Sequence, residues 1–176
     1  IGVFFVEAAT NLLAYLSDAD PELEDIRASL QVTSGWSGEE FSRVAGSLAE
    51  YSFKVDISRV DLEHLHIILS QERGFFLRLI ENPALMEHES FTELLLAIFH
   101  LTEELARRPS LDGLPRSDLA HLKIDIERTY GRLAREWLEY MKSLKTSYPY
   151  LFHLAMRTNP FDQTASVVIM EKDGKD

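Results

Sequence analysis

The sequence predicts an all-α fold, an irregular bundle of five to seven helices, and three observations support this prediction. Apolar residues recur at helical spacing through most of the 176 residues. Polar residues that suit helix capping precede several of these segments, and proline or glycine follows them. Only one short segment shows the alternation of apolar and polar residues that is typical of a strand. The prediction therefore leaves room for one short β pairing.

The first 57 residues predict three helices and then an extended segment. Residues 1–16 place four apolar side chains on one helical face, namely Phe5, Ala8, Leu12 and Leu16. This stretch is shorter than the roughly 20 apolar residues of a membrane span, so we expect it to pack against the core or a partner, with lipid contact as the alternative. Asp20 and Pro21 begin the second helix, and a capping box between Ser37 and Glu40 begins the third.

Residues 51–57 are the best strand candidate, because apolar and polar side chains alternate from Tyr51 to Ile57. A single strand is marginally stable and requires a partner. The tail segment 166–170 or another chain would supply one. The alternative is that residues 51–57 form an extended linker.

Three longer helices are predicted in the rest of the chain. The first follows Ser58 and ends before Pro83, and the second begins at a capping box between Ser90 and Glu93. The third covers residues 117–146 and, at about 1.5 Å per residue, would be roughly 45 Å long. A helix of this length needs neighbours along its whole length.

The long helix should end near Tyr148, since Pro149 disfavours helical geometry in the residue before it. The aromatic stretch that follows is expected to fold back as a short helix over the end of the long one. There it would cap the core, or, as the alternative, form a docking surface for another chain.

The spacing of these elements predicts one helical domain over residues 1–162. Its N-terminal helices and extended segment occupy residues 1–57, its main bundle residues 58–162, and a tail residues 163–176. The chain begins with Ile1 rather than Met, from which we expect a fragment of a longer protein.

Composition and charge exclude several classes of function. The formal net charge is −11, so the surface repels phosphate backbones and nucleic acid is not an expected partner. The chain has no cysteine, which removes disulfides, thiolate chemistry and cysteine-based zinc sites.

Two histidine pairs have the spacing of three residues that helical di-metal sites use, namely Glu63 with His66 and Asp118 with His121. With 29 acidic residues among 176, six histidines yield about one such pair by chance. We therefore predict no metal site. The histidines are interpreted as helix-surface residues near carboxylates, such as the i,i+4 pair of His100 and Glu104.

No sequence motif predicts catalysis. The chain contains no GxSxG elbow and no glycine-rich phosphate loop. We therefore predict no catalytic residue, no cofactor and no enzymatic activity. Four aromatic residues are the candidates to line a ligand pocket between helices: Phe75, Phe76, Trp137 and Tyr140.

Two blocks carry a family resemblance, "ERGFFLRLIENPALMEHESFTELLLAIFHLTEELARR" (72–108) and "YMKSLKTSYPYLFHLAMRTNPFD" (140–162). In them the chain resembles a poorly characterised cytosolic helical domain of archaeal and bacterial ion-channel-family membrane proteins. This resemblance implies a membrane pore module in the same full-length protein, a location at the cytoplasmic face of the membrane, and assembly as a homo-oligomer. Nothing like a TVGYG filter occurs in this chain.

Three functions are compatible with these observations. The first is a non-catalytic assembly or regulatory domain of an ion-channel-like membrane protein. Its core or interface would use apolar residues of two helices, namely Leu94, Ile98, Leu101, Leu105, Leu133, Trp137 and Tyr140. The second is a soluble ligand-sensing domain with an aromatic pocket. The third is a metal-dependent helical-bundle enzyme.

Overall fold

A computed structural model describes residues 1–168, and all regular structure in them is helical, which confirms the all-α prediction. Helix α1 consists of three consecutive elements: Gly2–Phe4, a π-helix at Phe5–Ala9, and Thr10–Ser17. The others are α2 (Glu24–Arg27), α3 (Gly38–Glu50), α4 (Leu62–Ile80), α5 (Pro83–Met86), α6 (Glu89–Ala106), α7 (Arg116–Ser147) and α8 (Pro149–Arg157). Short 3₁₀ turns occur at Ala28–Leu30 and Ile57–Arg59.

The short helix α5 has no counterpart in the sequence prediction. Pro83 ends the predicted helix before it, but it also occupies the first position of α5, where a missing N–H costs nothing. The Asn82 side chain accepts a hydrogen bond from the Ala84 N–H at 3.0 Å and caps this helix. One short motif therefore ends α4 and begins α5.

Helix α7 lies at the centre of the bundle and packs against α1, α3, α6 and α8. Helix α4 covers the other side of α6, with α5 beside both. The buried apolar side chains, from Phe4 to Phe161, form a single hydrophobic cluster to which residues 1–57 and 58–162 both contribute. None of the helices within residues 1–168 combines the length and the apolar character required to cross a membrane.

The predicted strand at residues 51–57 is an extended linker. Its alternating side chains do point inward, because Phe53 and Val55 are buried. Its backbone N–H groups donate hydrogen bonds to separate partners and not to a neighbouring strand. The Asp56 N–H donates to the Ala19 carbonyl at 2.9 Å, and the Val55 N–H donates to Glu127 Oε1 at 3.0 Å. No strand occurs in residues 1–168. The segment proposed as a strand partner, residues 166–170, and the predicted tail, residues 163–176, both extend beyond residue 168, and residues 169–176 lie outside the described part of the chain.

One of the two predicted capping boxes is present. The Ser37 hydroxyl accepts the Glu40 N–H at 3.3 Å, and Glu40 Oε2 accepts the Ser37 N–H at 2.6 Å. The box predicted between Ser90 and Glu93 is wrong, because α6 begins one residue earlier, at Glu89. Glu93 instead forms an ion pair with Arg132 on α7.

The end of α7 follows the prediction. Pro149 is the first residue of α8, and Tyr148 has a non-helical backbone with φ −140° and ψ 67°. The short helix α8 packs on α7 and buries Phe152. Tyr150 on the opposite face is 71% exposed, so α8 covers the core with only part of its aromatic surface.

The segment after α8 closes the core through Asn159 and Phe161. Phe161 is fully buried, and its ring lies 5.1 Å from that of Trp137 in an edge-to-face arrangement. The Asn159 Nδ2 donates to the Leu30 carbonyl at 2.9 Å, while its Oδ1 accepts the Phe161 N–H at 3.0 Å. A single buried amide therefore connects the C-terminal segment to the turn after α2.

We expect Asn159→Ala to destabilise the domain by about 1–3 kcal/mol, because the change leaves a buried carbonyl and a buried N–H without partners. Urea unfolding followed by circular dichroism measures this cost. Gln163→Ala, at an exposed position four residues further on, is the control and should change the free energy of unfolding by less than about 0.5 kcal/mol. Equal stability of the two variants would contradict the role of Asn159.

Candidate functional site

An apolar cavity of about 430 Å³ lies where α1, α7 and α8 meet. Trp137 and Tyr140 of α7 form its floor, and exposed apolar side chains of α1 and α8 form its walls. The lining residues are Gly2, Val3, Val6, Glu7, Thr10, Asn11, Trp137, Tyr140, Leu144, Leu151, Leu154, Ala155 and Thr158. The volume falls in the range of about 300–1,000 Å³ that small-molecule sites occupy.

The π-helix in α1 contributes one wall of this cavity. In it the Thr10 N–H bonds to the Phe5 carbonyl, five residues back, and Thr10 Oγ1 donates to the same carbonyl at 2.8 Å. Phe5 is fully buried, whereas the next residue, Val6, is 68% exposed and faces the cavity. Single π-helical turns are rare and occur frequently at functional sites.

The structure brings together two of the four aromatic residues predicted to line a pocket. Tyr140 stacks on Phe5, with ring centroids 4.7 Å apart and an interplanar angle of 11°, and it lines the cavity together with Trp137. Phe76 is buried instead against Phe4, at 6.2 Å, and Phe75 packs beside Phe76. Neither of these two phenylalanines lines the cavity.

The lining of the cavity carries one negative charge and no positive one. Glu7 is the one charged residue in the lining described above, and its side chain is exposed. Burial raises the pKa of the Tyr140 phenol, which therefore stays neutral at physiological pH. No arginine or lysine is part of the lining. The site thus favours an apolar, uncharged or cationic ligand over an anionic one.

The histidines are arranged differently from the spacing-of-three prediction. Asp118 does not bind His121 but accepts two hydrogen bonds from Arg108, at 2.6 and 2.8 Å. His121 instead meets Asp125, four residues further along α7, and both lie opposite His100 and Glu104 of α6. One sequence pattern could have indicated this cluster: a histidine followed four residues later by an acidic residue, which occurs once on α6 and once on α7.

The comparisons with known proteins give a family but no activity. The family described as "Uncharacterized protein MJ1433, C-terminal helical domain" matches residues 1–157. The chain belongs to this family. An uncharacterized protein of Methanocaldococcus jannaschii, MJ1433 itself, is 44% identical over 175 residues, which cover 99% of this chain and 69% of that protein. No solved structure matches.

Membership of the MJ1433 C-terminal domain family supports one part of the resemblance inferred from the sequence, namely that to a poorly characterised helical domain found in archaea. The chain is a helical domain of an uncharacterised family with an archaeal member. The descriptions of the MJ1433 family and of this relative do not refer to ion channels or membranes. The ion-channel part of the resemblance therefore has no support from these comparisons.

The two faces of α1 at the cavity should respond very differently to truncation. We expect Phe5→Ala to cost about 3–5 kcal/mol, because it removes a fully buried ring. Val6→Ala should change stability by less than about 0.5 kcal/mol, because Val6 faces the open cavity. Urea unfolding of both variants checks this, and similar costs for the two would show that α1 does not present Val6 outward.

Proposed function

We propose that this domain is a non-catalytic, ligand-sensing module that binds an uncharged or cationic lipophilic small molecule in the cavity between α1, α7 and α8. The observation that carries this proposal is the cavity itself, which combines a suitable volume with an aromatic floor and walls of exposed aliphatic side chains. The absence of basic residues from the lining supports the proposed charge class of the ligand.

Hydrophobic burial would provide the affinity. Val3 is 63% exposed and Val6 68% exposed on α1, and Leu151 and Leu154 are partly exposed on α8. A ligand that covers them removes apolar surface from water, which is worth roughly 25 cal/mol per Å². Since α1 and α8 contact the ligand from opposite sides, its binding would fix the position of these two helices on α7. Such ordering is how a small molecule can regulate a larger protein.

We expect the uncharged probe N-phenyl-1-naphthylamine to bind saturably with one site per chain and to raise the melting temperature of the domain. Fluorescence titration measures this binding. The sulfonated analogue 8-anilinonaphthalene-1-sulfonate has nearly the same rings and a negative charge, so it should bind more weakly beside Glu7. Stronger binding of the anionic analogue would contradict the ligand class proposed here.

Two substitutions give a matched test of the location. Val6→Asp places a second carboxylate in the cavity wall and should abolish saturable binding of the uncharged probe. Ile67→Asp makes the same kind of change at a 52% exposed aliphatic residue of α4, outside the cavity lining, and should leave binding unchanged. If both variants bind the probe equally well, the cavity is not the binding site.

Assembly is a second candidate function, which the exposed apolar surface around the cavity favours. The residues predicted from sequence for an interface are mostly used in the core: Leu94, Ile98, Leu101, Leu105, Leu133 and Trp137 are all 1% exposed or less. Tyr148 and Tyr150, at 51% and 71% exposure, are available instead. In this candidate, the domain would assemble as a homo-oligomer at the cytoplasmic face of a membrane beside the pore module of an ion-channel-like protein.

For this second candidate we expect size-exclusion chromatography with light scattering to give a mass that increases with protein concentration. Tyr150→Asp should restore the monomer mass, because it places a charge on the exposed apolar face of α8. Glu63→Gln, on the surface of α4, serves as the control. A strictly monomeric wild-type domain at high concentration would exclude assembly through this surface and leave the ligand proposal intact.

A further inference from the structure

Four side chains of α6 and α7 lie close together on the helix pair, away from the apolar cavity, and three of them, His100, His121 and Asp125, bring potential ligand atoms to a common point. His100 and Glu104 lie one turn apart on α6, and His121 and Asp125 lie one turn apart on α7. A spacing of four residues places both members of each pair on the same helix face. Because α6 and α7 pack against each other, the two faces meet.

Asp125 is the residue that makes this cluster unusual. Its side chain is only 2% exposed, and its Oδ2 has no hydrogen-bond partner in the described part of the chain. Its other oxygen, Oδ1, accepts a hydrogen bond from Arg128 at 2.7 Å. Buried carboxylate oxygens without a partner are rare, and an ion is one of the causes that explain them.

Both histidines direct the same ring nitrogen at this unpartnered oxygen. The distance from Asp125 Oδ2 is 3.3 Å to His100 Nε2 and 3.4 Å to His121 Nε2. One potential ligand atom from each of these three residues lies within 4.8 Å of the other two. Zinc binds nitrogen and carboxylate oxygen at about 2.0–2.2 Å, so two ligands at a tetrahedral angle are about 3.4 Å apart. The two measured separations match this value.

Glu104 lies beside these three residues, at slightly longer distances. Its Oε2 lies 3.6 Å from His121 Nε2, and its Oε1 lies 3.9 Å from His100 Nε2. Arg108 donates to Glu104 Oε2 at 2.9 Å, and Arg108 is itself held by Asp118. Carboxylates that bind metals are commonly hydrogen-bonded in turn, which fixes their orientation. The contact between Arg128 and Asp125 Oδ1 is of the same kind.

We propose that His100, His121 and Asp125, completed by Glu104, form a binding site for a divalent first-row transition ion, with Zn²⁺ as the best match. Two imidazole nitrogens with two carboxylates suit zinc and its neighbours in the series. Calcium and magnesium prefer sites made only of oxygen. The two carboxylates supply negative charge beside the ion, and the bound ion would link α6 to α7.

The experiment uses the tag-free domain, treated with EDTA and then dialysed. We expect isothermal titration with ZnCl₂ to show one site per chain and the melting temperature to rise when zinc is present, because the ion binds only the folded state. Cobalt(II) should give the intense visible absorption of a four-coordinate complex. MgCl₂ and CaCl₂ should not compete. Zinc binding with no cobalt spectrum of this type would overturn the proposed coordination.

Variants locate the site. Asp125→Asn and His121→Ala should each weaken zinc binding by at least about tenfold, because each removes a ligand from the coordination sphere. His121 is half exposed, so His121→Ala remains informative if Asp125→Asn does not fold. The control is the double variant Glu63→Gln, His66→Ala, which removes a histidine and an acid from the surface of α4.

The control variant should bind zinc like the wild type. Absence of calorimetric binding to the wild-type domain would overturn the proposal. So would equal binding by the wild type, Asp125→Asn and His121→Ala, since zinc would then be held elsewhere on the surface. Circular dichroism of each variant ensures that a loss of binding reflects a lost ligand and not a lost fold.

Discussion

The fold depends on the burial of the apolar face of α7 by the neighbouring helices. This helix has 32 residues, which corresponds to a length of about 48 Å, and a helix inside a protein gains most of its stability from the packing of its apolar face. Four helices pack against it and cover its apolar face: α6, α3, α1 and α8. Both candidate sites follow from this arrangement, since the apolar cavity and the histidine–carboxylate cluster each lie where α7 meets a neighbour.

Two buried polar residues of α7, Thr129 and Asp125, differ in whether their polar atoms have hydrogen-bond partners. Thr129 occupies a position where the helical pattern predicts an apolar residue, and it is fully buried. Its Oγ1 donates to the Asp125 carbonyl at 2.9 Å, so its polar group is satisfied within the helix. Asp125, one turn earlier, has an oxygen without such a partner. The difference between these neighbours is why Asp125, and not Thr129, indicates a site.

The sequence predicted several, though not all, of the features that depend on local interactions. The capping box of Ser37 and Glu40 and the helix boundary at Pro149 involve residues within four positions of each other, and both are present. The strand prediction for residues 51–57 was wrong because the alternation of apolar and polar residues indicates only which side chains are buried, and not which backbone hydrogen bonds form. Phe53 is buried against Tyr130 of α7, at a ring distance of 4.8 Å, and a linker lying over a helix produces the same alternation as a strand.

The close approach of this linker to α7 also depends on a residue whose role the sequence did not reveal. A Cβ atom on Gly131 would lie 3.0 Å from Phe53 Cδ2, so the Phe53 ring would have to shift by a few tenths of an ångström to accept a side chain at this position. Gly131 is fully inside a helix, where glycine is unfavourable on its own. Its presence is explained only by a contact with a segment about 80 positions away, and such a contact cannot be read from helical periodicity.

The sequence analysis missed the histidine–carboxylate cluster because the cluster also depends on contacts between residues of two different helices. Which residues of α6 face which residues of α7 depends on the turn between the helices, where Gly113 adopts φ 69°, a left-handed conformation suited to glycine. Across this turn Arg108 binds both oxygens of Asp118, a planar, two-bond contact that fixes the helix register. That register places His100 and Glu104 beside His121 and Asp125. The proximity of these side chains therefore follows from the packing of α6 on α7, and the proposed ion would bind ligand atoms of His100, His121 and Asp125 that are already close together.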